Sequence, residues 1–198
     1  MFEKYSIYYS YKEIGDVLLI IINQKAKPTS FIQNSDVTVI YHGSEIIGYN
    51  IFNISKIVKI KTHGLIYYPS DVFIDIINSI LKNHQLDTLA HYSHSGYIIG
   101  QVSKLEKDNM LFRPFIDVGD KIIIGQSVDH IREGDKVVIA LIGARLYDSQ
   151  EVEETTNPAQ IHLCTNRELN ISMNDETYLV DEDGVVGEDF FKIGERQI

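Results

Sequence analysis

The sequence predicts an α+β protein in two parts, an N-terminal antiparallel sheet with one covering helix and then a small β-barrel. Three observations carry this. The opening third holds aromatic and β-branched runs separated by turn residues, a single apolar stripe at helical spacing follows, and the second half holds short strands at regular intervals.

In order, "YSIYYSYK" (Tyr5–Lys12) is aromatic and β-branched, "GDVLLIIIN" (Gly15–Asn23) reads as a buried strand, and "DVTVIYH" (Asp36–His42) alternates in polarity. The links "QKAKPTS" and "HGSE" carry the Pro, Gly and Ser of turns, and "EIIGYNIFNIS" (Glu45–Ser55) is a further strand. Ser70 offers an N-cap, and Val72, Phe73, Ile76, Ile77, Ile80 and Leu81 form a helical stripe ending near Asn83. That helix can cover one face of the preceding sheet. "NHQLDTLAHYSHSG" (Asn83–Gly96) breaks the pattern and is the expected linker, dividing an α+β domain over 1–92 from a second domain over 93–198. Beyond it come "GYIIGQVSKLE", "LFRPFIDV", "KIIIGQSV", "KVVIALIG" and "AQIHLC", with Gly119-Asp120 suited to a tight hairpin. Five such strands fit a Greek-key barrel of the OB type, and a split sandwich fits the spacing nearly as well. The acidic end, "DETYLVDEDGVVGEDFF", reads as one more strand and a turn laid on the barrel.

The 198 residues carry a net charge of −10, unevenly distributed. Residues 1–92 hold eight lysines and eight acids, while residues 93–198 hold ten basic and twenty acidic side chains. Phosphate neutralisation dominates polyanion affinity, so the total opposes strong nucleic-acid binding unless a local basic patch survives. The single cysteine, Cys164, excludes an intrachain disulfide and suits a reducing compartment. Met1–Tyr11 lacks the apolar core of a signal peptide, and the six-residue run Val17–Ile22 falls far short of the ~20 residues of a membrane helix. A cytoplasmic protein without membrane attachment is the expectation.

At this point a resemblance emerges. "IGDVLLI" (Ile14–Ile20) and "GYNIFNIS" (Gly48–Ser55) resemble the N-terminal domain of the stand-alone bacterial tRNA-binding proteins of the YtpR type. The second half is similar to their tRNA-binding domain, an OB-fold shared with the phenylalanyl-tRNA synthetase beta subunit and with appendices of methionyl-tRNA synthetase. "YIIGQV" matches its first strand, "FIDVGD" its second, "REGDKVVIALIGA" its fourth, and "CTNRELNI" (Cys164–Ile171) the Cys-Ser-x-x-Glu-Leu signature after the fifth. The contact motifs differ. "EKDNML" (Glu106–Leu111) lacks the His-Pro and Lys of the family loop, and "QSVDHI" (Gln126–Ile131) has His130 where Asn stands. "TTNPAQIHL" (Thr155–Leu163) puts Ala159 and His162 near the Ser and Met positions associated with tRNA contact.

An OB barrel binds looped or single-stranded nucleic acid with a basic track and aromatic platforms. The candidates are Lys104, Lys107, Arg113, Arg132, Lys136 and Arg145, with Phe115 as a stacking surface beside Phe112 and Tyr147, and with His130 and His162 in the altered motifs. Alternation in "LFRPFIDV" sends Phe112, Pro114, Ile116 and Val118 to one face, and Arg113, Phe115 and Asp117 to the solvent face. Each basic residue has the plain alternative of a solvated surface charge. Cys164 reads as a small core hydrophobe, and His91-x-x-His94 as two exposed linker histidines without the ligands of a metal shell. No GxSxG, P-loop, GxGxxG or HExxH occurs, so no enzyme and no cofactor are expected. Two functions stay open: a non-catalytic tRNA-binding protein, and a degenerate paralogue whose barrel serves as a protein-interaction or regulatory module. A homodimer is compatible with either.

Overall fold

The computed structural model describes residues 5–108, 111–125, 131–148, 150–153 and 162–192. The chain divides into two compact units, one running through Ser93 and the other starting at His94.

In the first unit six strands, β1 (Ser6–Tyr9), β2 (Val17–Ile21), β3 (Ser30–Asn34), β4 (Val37–His42), β5 (Glu45–Phe52) and β6 (Gly64–Ile66), form an antiparallel sheet. Their order is β3-β4-β5-β2-β1-β6. The expected strand over Tyr5–Lys12 is shorter, because Tyr11–Ile14 coils into a helical turn, α1, before β2. Two strands fall where the sequence assigned none. β3 is exposed throughout and β6 has only three residues, so neither carries the alternation that marks a half-buried strand.

Helix α2 (Asp71–Asn83) starts at Ser70, whose hydroxyl accepts from the Phe73 N–H at 3.3 Å. Phe73, Ile74, Ile77 and Leu81 pack on Leu18, Ile20, Val39, Tyr49 and Ile51 of the sheet. Burying each such side chain contributes about 1.5–3 kcal/mol. The stripe lies one position around from the expected one: Val72 is 70 % exposed, while Ile74 and Asn78 face inward. Asn78 explains the offset. Its amide donates to the Leu89 carbonyl at 2.9 Å and accepts from the Leu89 N–H at 2.7 Å.

That clasp also revises the linker. Leu86, Leu89 and Tyr92 pack against the first core, and the Tyr92 hydroxyl donates to the Tyr5 carbonyl at 2.6 Å. The Tyr5 hydroxyl in turn donates to the Ala90 carbonyl. Most of the expected linker is therefore a strap on the first unit, held by polar groups that periodicity does not read.

In the second unit the strands β7 (Tyr97–Asp108), β8 (Leu111–Asp117), β9 (Ile122–Ile124), β10 (Lys136–Ala140) and β11 (His162–Leu163) form an antiparallel sheet ordered β11-β10-β7-β8-β9. Strand β7 pairs with β10 over Tyr97–Gln101 and with β8 over Gln101–Asp108, with a bulge between Val102 and Lys104. A strand shared this way must curl, and the sheet becomes a half-barrel. Gly100 sits on the inside of the curl, where a Cβ would lie 2.5 Å from Ile116 Cγ2 and 2.7 Å from Ile139 Cδ1. Gly119, at φ +96°, turns β8 into β9, as the Gly-Asp pair implied. The strand β7 runs to Asp108, past the expected end at Glu106, because Lys107 and Phe112 still pair across it.

The concave side encloses Val102, Ile116, Val118, Ile131, Val137, Ile139 and Leu163. Alternation then turns Val138 and Ala140 outward, yet both are buried. Their cover is the C-terminal segment. Strand β12 (Leu179–Val180) pairs with Lys136 and Val137, and the Gly187 and Phe190 N–H groups donate to the Ile99 and Tyr97 carbonyls at 2.8 and 2.9 Å. Tyr97 packs edge-on against Phe191. No helix among the described residues is long and apolar enough to cross a membrane.

Replacing Asn78 with Ala strands both Leu89 backbone groups and is expected to cost about 1–3 kcal/mol. Urea unfolding of the first unit checks it: a midpoint within error of wild type would mean that the clasp contributes nothing.

Candidate nucleic-acid interface

The C-terminal segment covers only half of the convex side of the curled sheet. Beyond Gln101 that side is open, and pairing brings together Lys104 opposite Phe115, Glu106 opposite Arg113, and Gln101 opposite Asp117. Strand β9 adds Ile124 beside Phe115 and Ile122, 62 % exposed, beside Asp117. The expected solvent face of β8 is the observed one: Arg113 is exposed and Phe115 half-buried, while Pro114, Ile116 and Val118 turn inward. The Lys104 ammonium stands 5.4 Å from the Phe115 ring centroid, an arrangement in which cation and aromatic face attract.

A fourth candidate borders this surface. The turn at Arg132–Asp135 docks on β7 through Gly134 N–H to the Val102 carbonyl at 2.8 Å and Val102 N–H to the Asp135 carbonyl at 2.9 Å. Asp135 accepts from the Arg132 N–H at 2.7 Å, which closes the turn and leaves the Arg132 side chain exposed. The same turn brings an acid, because Glu133 accepts from the Leu105 N–H at 2.9 Å. Glu106 lies 2.6 Å from the Lys104 ammonium and, with Glu133, holds it above the ordinary lysine range. The open face therefore mixes Lys104, Arg113 and Arg132 with Glu106, Asp117 and Glu133.

The other expected residues are elsewhere. Lys107 lies 5.7 Å from the Phe112 ring, on the opposite parity of the hairpin. The Lys136 ammonium donates to the carbonyls of Glu182 and Gly184 at 2.6 and 2.8 Å, so it ties the acidic segment to β10. Arg145 follows β10 at the Tyr97 end, where its carbonyl accepts from the Tyr97 hydroxyl. Tyr147 is exposed on the same connection. His130 lies outside the described residues.

His162 is held by Glu168 at 2.7 Å. Glu168 also accepts from the Thr165 N–H at 2.8 Å, while Thr165 Oγ1 accepts from the Glu168 N–H at 3.3 Å. This reciprocal pair is a capping box on the turn 165–170, and it gives "TNRE" a structural reading. Burial pushes the Glu168 carboxyl up, but the His162 and Thr165 hydrogen bonds outweigh it and hold it below the usual range. Cys164 is fully buried, and burial, with the Glu168 charge behind it, pushes its thiol well up. His91 is half-exposed and bonded to Asp75 at 3.0 Å. A cleft lined by Ile99, Tyr178, Val180, Gly184 and Phe190 holds about 30 Å³, room for one water.

Residues 24–90 match the model of a family described as "Domain of unknown function (DUF4479)". The match lies within the first unit. No curated protein matches the chain.

Two outcomes are expected here. Glu168 is depressed in the folded protein, so its stabilisation is present above the ordinary glutamate pKa of about 4.3 and is lost as pH falls through its lower folded value. Acid unfolding should therefore be shallower for Glu168→Gln than for wild type, and parallel curves would refute the linkage. Lys136→Met leaves two carbonyls without their donor and should cost about 1–3 kcal/mol in urea unfolding. An unchanged midpoint would mean that the tie does not hold the segment.

Proposed function

We propose that the chain is a non-catalytic RNA-binding protein that takes tRNA on the open half of its curled sheet. The observation that carries this is the half-buried Phe115, flanked on one face by Lys104 and Arg113 and bordered by Arg132. An aromatic platform among cations lets an unpaired base stack while phosphates meet the charges. The strand order β11-β10-β7-β8-β9, with one long strand shared between two partners, supports this reading, because an OB barrel sets its fifth, fourth, first, second and third strands in that order. The resemblance to the YtpR-type proteins supports the same reading, and its "GYNIFNIS" stretch falls inside residues 24–90. Recognition here works through loops and shape rather than a base code, in keeping with a surface of few side-chain donors.

A second reading is favoured by the interleaved acids. With Lys104 paired to Glu106 and Ile122 exposed beside Asp117, the same face suits a protein partner. Titration of bulk tRNA at two salt concentrations separates the two. The RNA reading expects affinity that falls steeply with salt, with Arg113→Ala weakening it and lowering the salt slope by about 1. Absence of binding at low salt would refute it and leave the protein partner. Binding with an unchanged slope in Arg113→Ala would remove Arg113 from the surface.

A further inference from the structure

The longest stretch of the first unit without an acidic residue is 46–70, and it contains Lys56, Lys59 and Lys61. Between the end of β5 and the start of β6 it forms a 3-10 turn over Ile54–Lys56 and then an irregular run. Strands β5 and β6 lie on either side of the β2–β1 pair, so this loop crosses the end of the sheet where β1 passes through α1 into β2. Two ties hold it there. Asp16 accepts from the Ser55 N–H at 3.0 Å and its hydroxyl at 2.7 Å, and His63 Nδ1 lies 3.1 Å from the Ser10 hydroxyl. Lys12, on α1, is thereby brought to the same end of the sheet.

These four lysines are exposed, and among the described residues none of their side chains has a hydrogen bond or ion pair. The contrast with the second unit is chemical: there Lys104 is paired with a carboxylate and Lys136 is enclosed by carbonyls. The two acids at this end are already engaged, Glu13 by the Tyr8 hydroxyl at 2.9 Å and Asp16 by Ser55. Tyr11, next to Lys12 on α1, is 63 % exposed at the same end of the sheet.

We infer that this end of the N-terminal sheet is a second contact surface for RNA, where Lys12, Lys56, Lys59 and Lys61 meet phosphates and Tyr11 stacks on an unpaired base. The inference rests on the reading of the chain as an RNA binder and adds a surface that the barrel does not provide. RNA fits better than an anionic membrane. Screening limits exposed charges to about 8 Å, so an RNA loop can touch four lysines locally. An extended anionic plane would also be repelled by a chain whose net charge is −10.

The test is bulk tRNA titrated at several salt concentrations against four full-length proteins: wild type, K56Q/K59Q/K61Q, Tyr11→Ser and Tyr11→Phe. The triple variant is expected to bind at least about tenfold more weakly, with a salt slope lower by about 2. Tyr11→Ser should weaken binding at an unchanged slope, and Tyr11→Phe should restore it, because a ring is what stacks. If the triple variant binds as wild type does, this surface is overturned, while Arg113→Ala still tests the barrel face separately. If the triple variant weakens binding and Arg113→Ala does not, this surface stands and the barrel face falls. No tRNA binding by wild type overturns both. Lysine-dependent binding to phosphatidylserine vesicles without tRNA binding overturns it in favour of lipid.

Discussion

Everything in the second unit depends on one strand serving two neighbours. A strand that bonds β10 with its first five residues and β8 with the rest cannot stay straight, and the bulge after Val102 is where it turns. The turn brings Ile116 and Ile139 so close to the inside of β7 that any side chain at position 100 would have to displace them. It also makes two convex regions. One is apolar and requires cover, which the C-terminal segment supplies with Phe190, Phe191 and backbone hydrogen bonds to Tyr97 and Ile99. The other begins where that cover ends and carries the mixed charges around Phe115.

Charge follows from this division. The acidic residues between Asp175 and Asp189 belong to a segment used for its aromatic rings and its backbone, and Lys136 is drawn into holding it. That segment is part of the barrel: β12 pairs with β10, residues 187–190 hydrogen-bond the backbone of β7 at Tyr97 and Ile99, and Phe191 packs on Tyr97. A net charge of −10 governs long-range steering, whereas a bound phosphate responds to what lies within about a Debye length. The relevant count is of cations whose side chains have no partner, and by that measure, among the described residues, the neutral first unit is better equipped than the barrel.

The two proposed RNA surfaces are each modest. Three cations interleaved with three carboxylates, or four lysines and an exposed tyrosine at one end of a sheet, give weak contacts singly. Joined in one chain, two weak contacts raise each other's effective concentration when the ligand can reach both. A protein with few contact motifs of the usual kind can hold a large RNA in this manner.

Much of the fold was legible in the sequence because burial writes itself as periodicity. The apolar run Val137–Ala140, the stripe of α2, the glycine hairpin at 119 and the alternation of β8 all record which side of an element is dry. The parity of Arg113 and Phe115 followed from the same rule. What periodicity could not convey was decided by pairing and by single polar groups. The edge strand β3 buries nothing, so it leaves no pattern. The strap at 84–92 is held by Asn78 and two tyrosines, whose partners are backbone atoms. Whether a lysine is spent or free depends on what the fold sets beside it, and that separates Lys104 and Lys136 from Lys56, Lys59 and Lys61 although all five are the same residue. The sequence alone determined the two-part architecture and the faces of its strands, because those depend on local spacing. Only the tertiary structure decided which charges remain available, because that depends on neighbours far away in the chain.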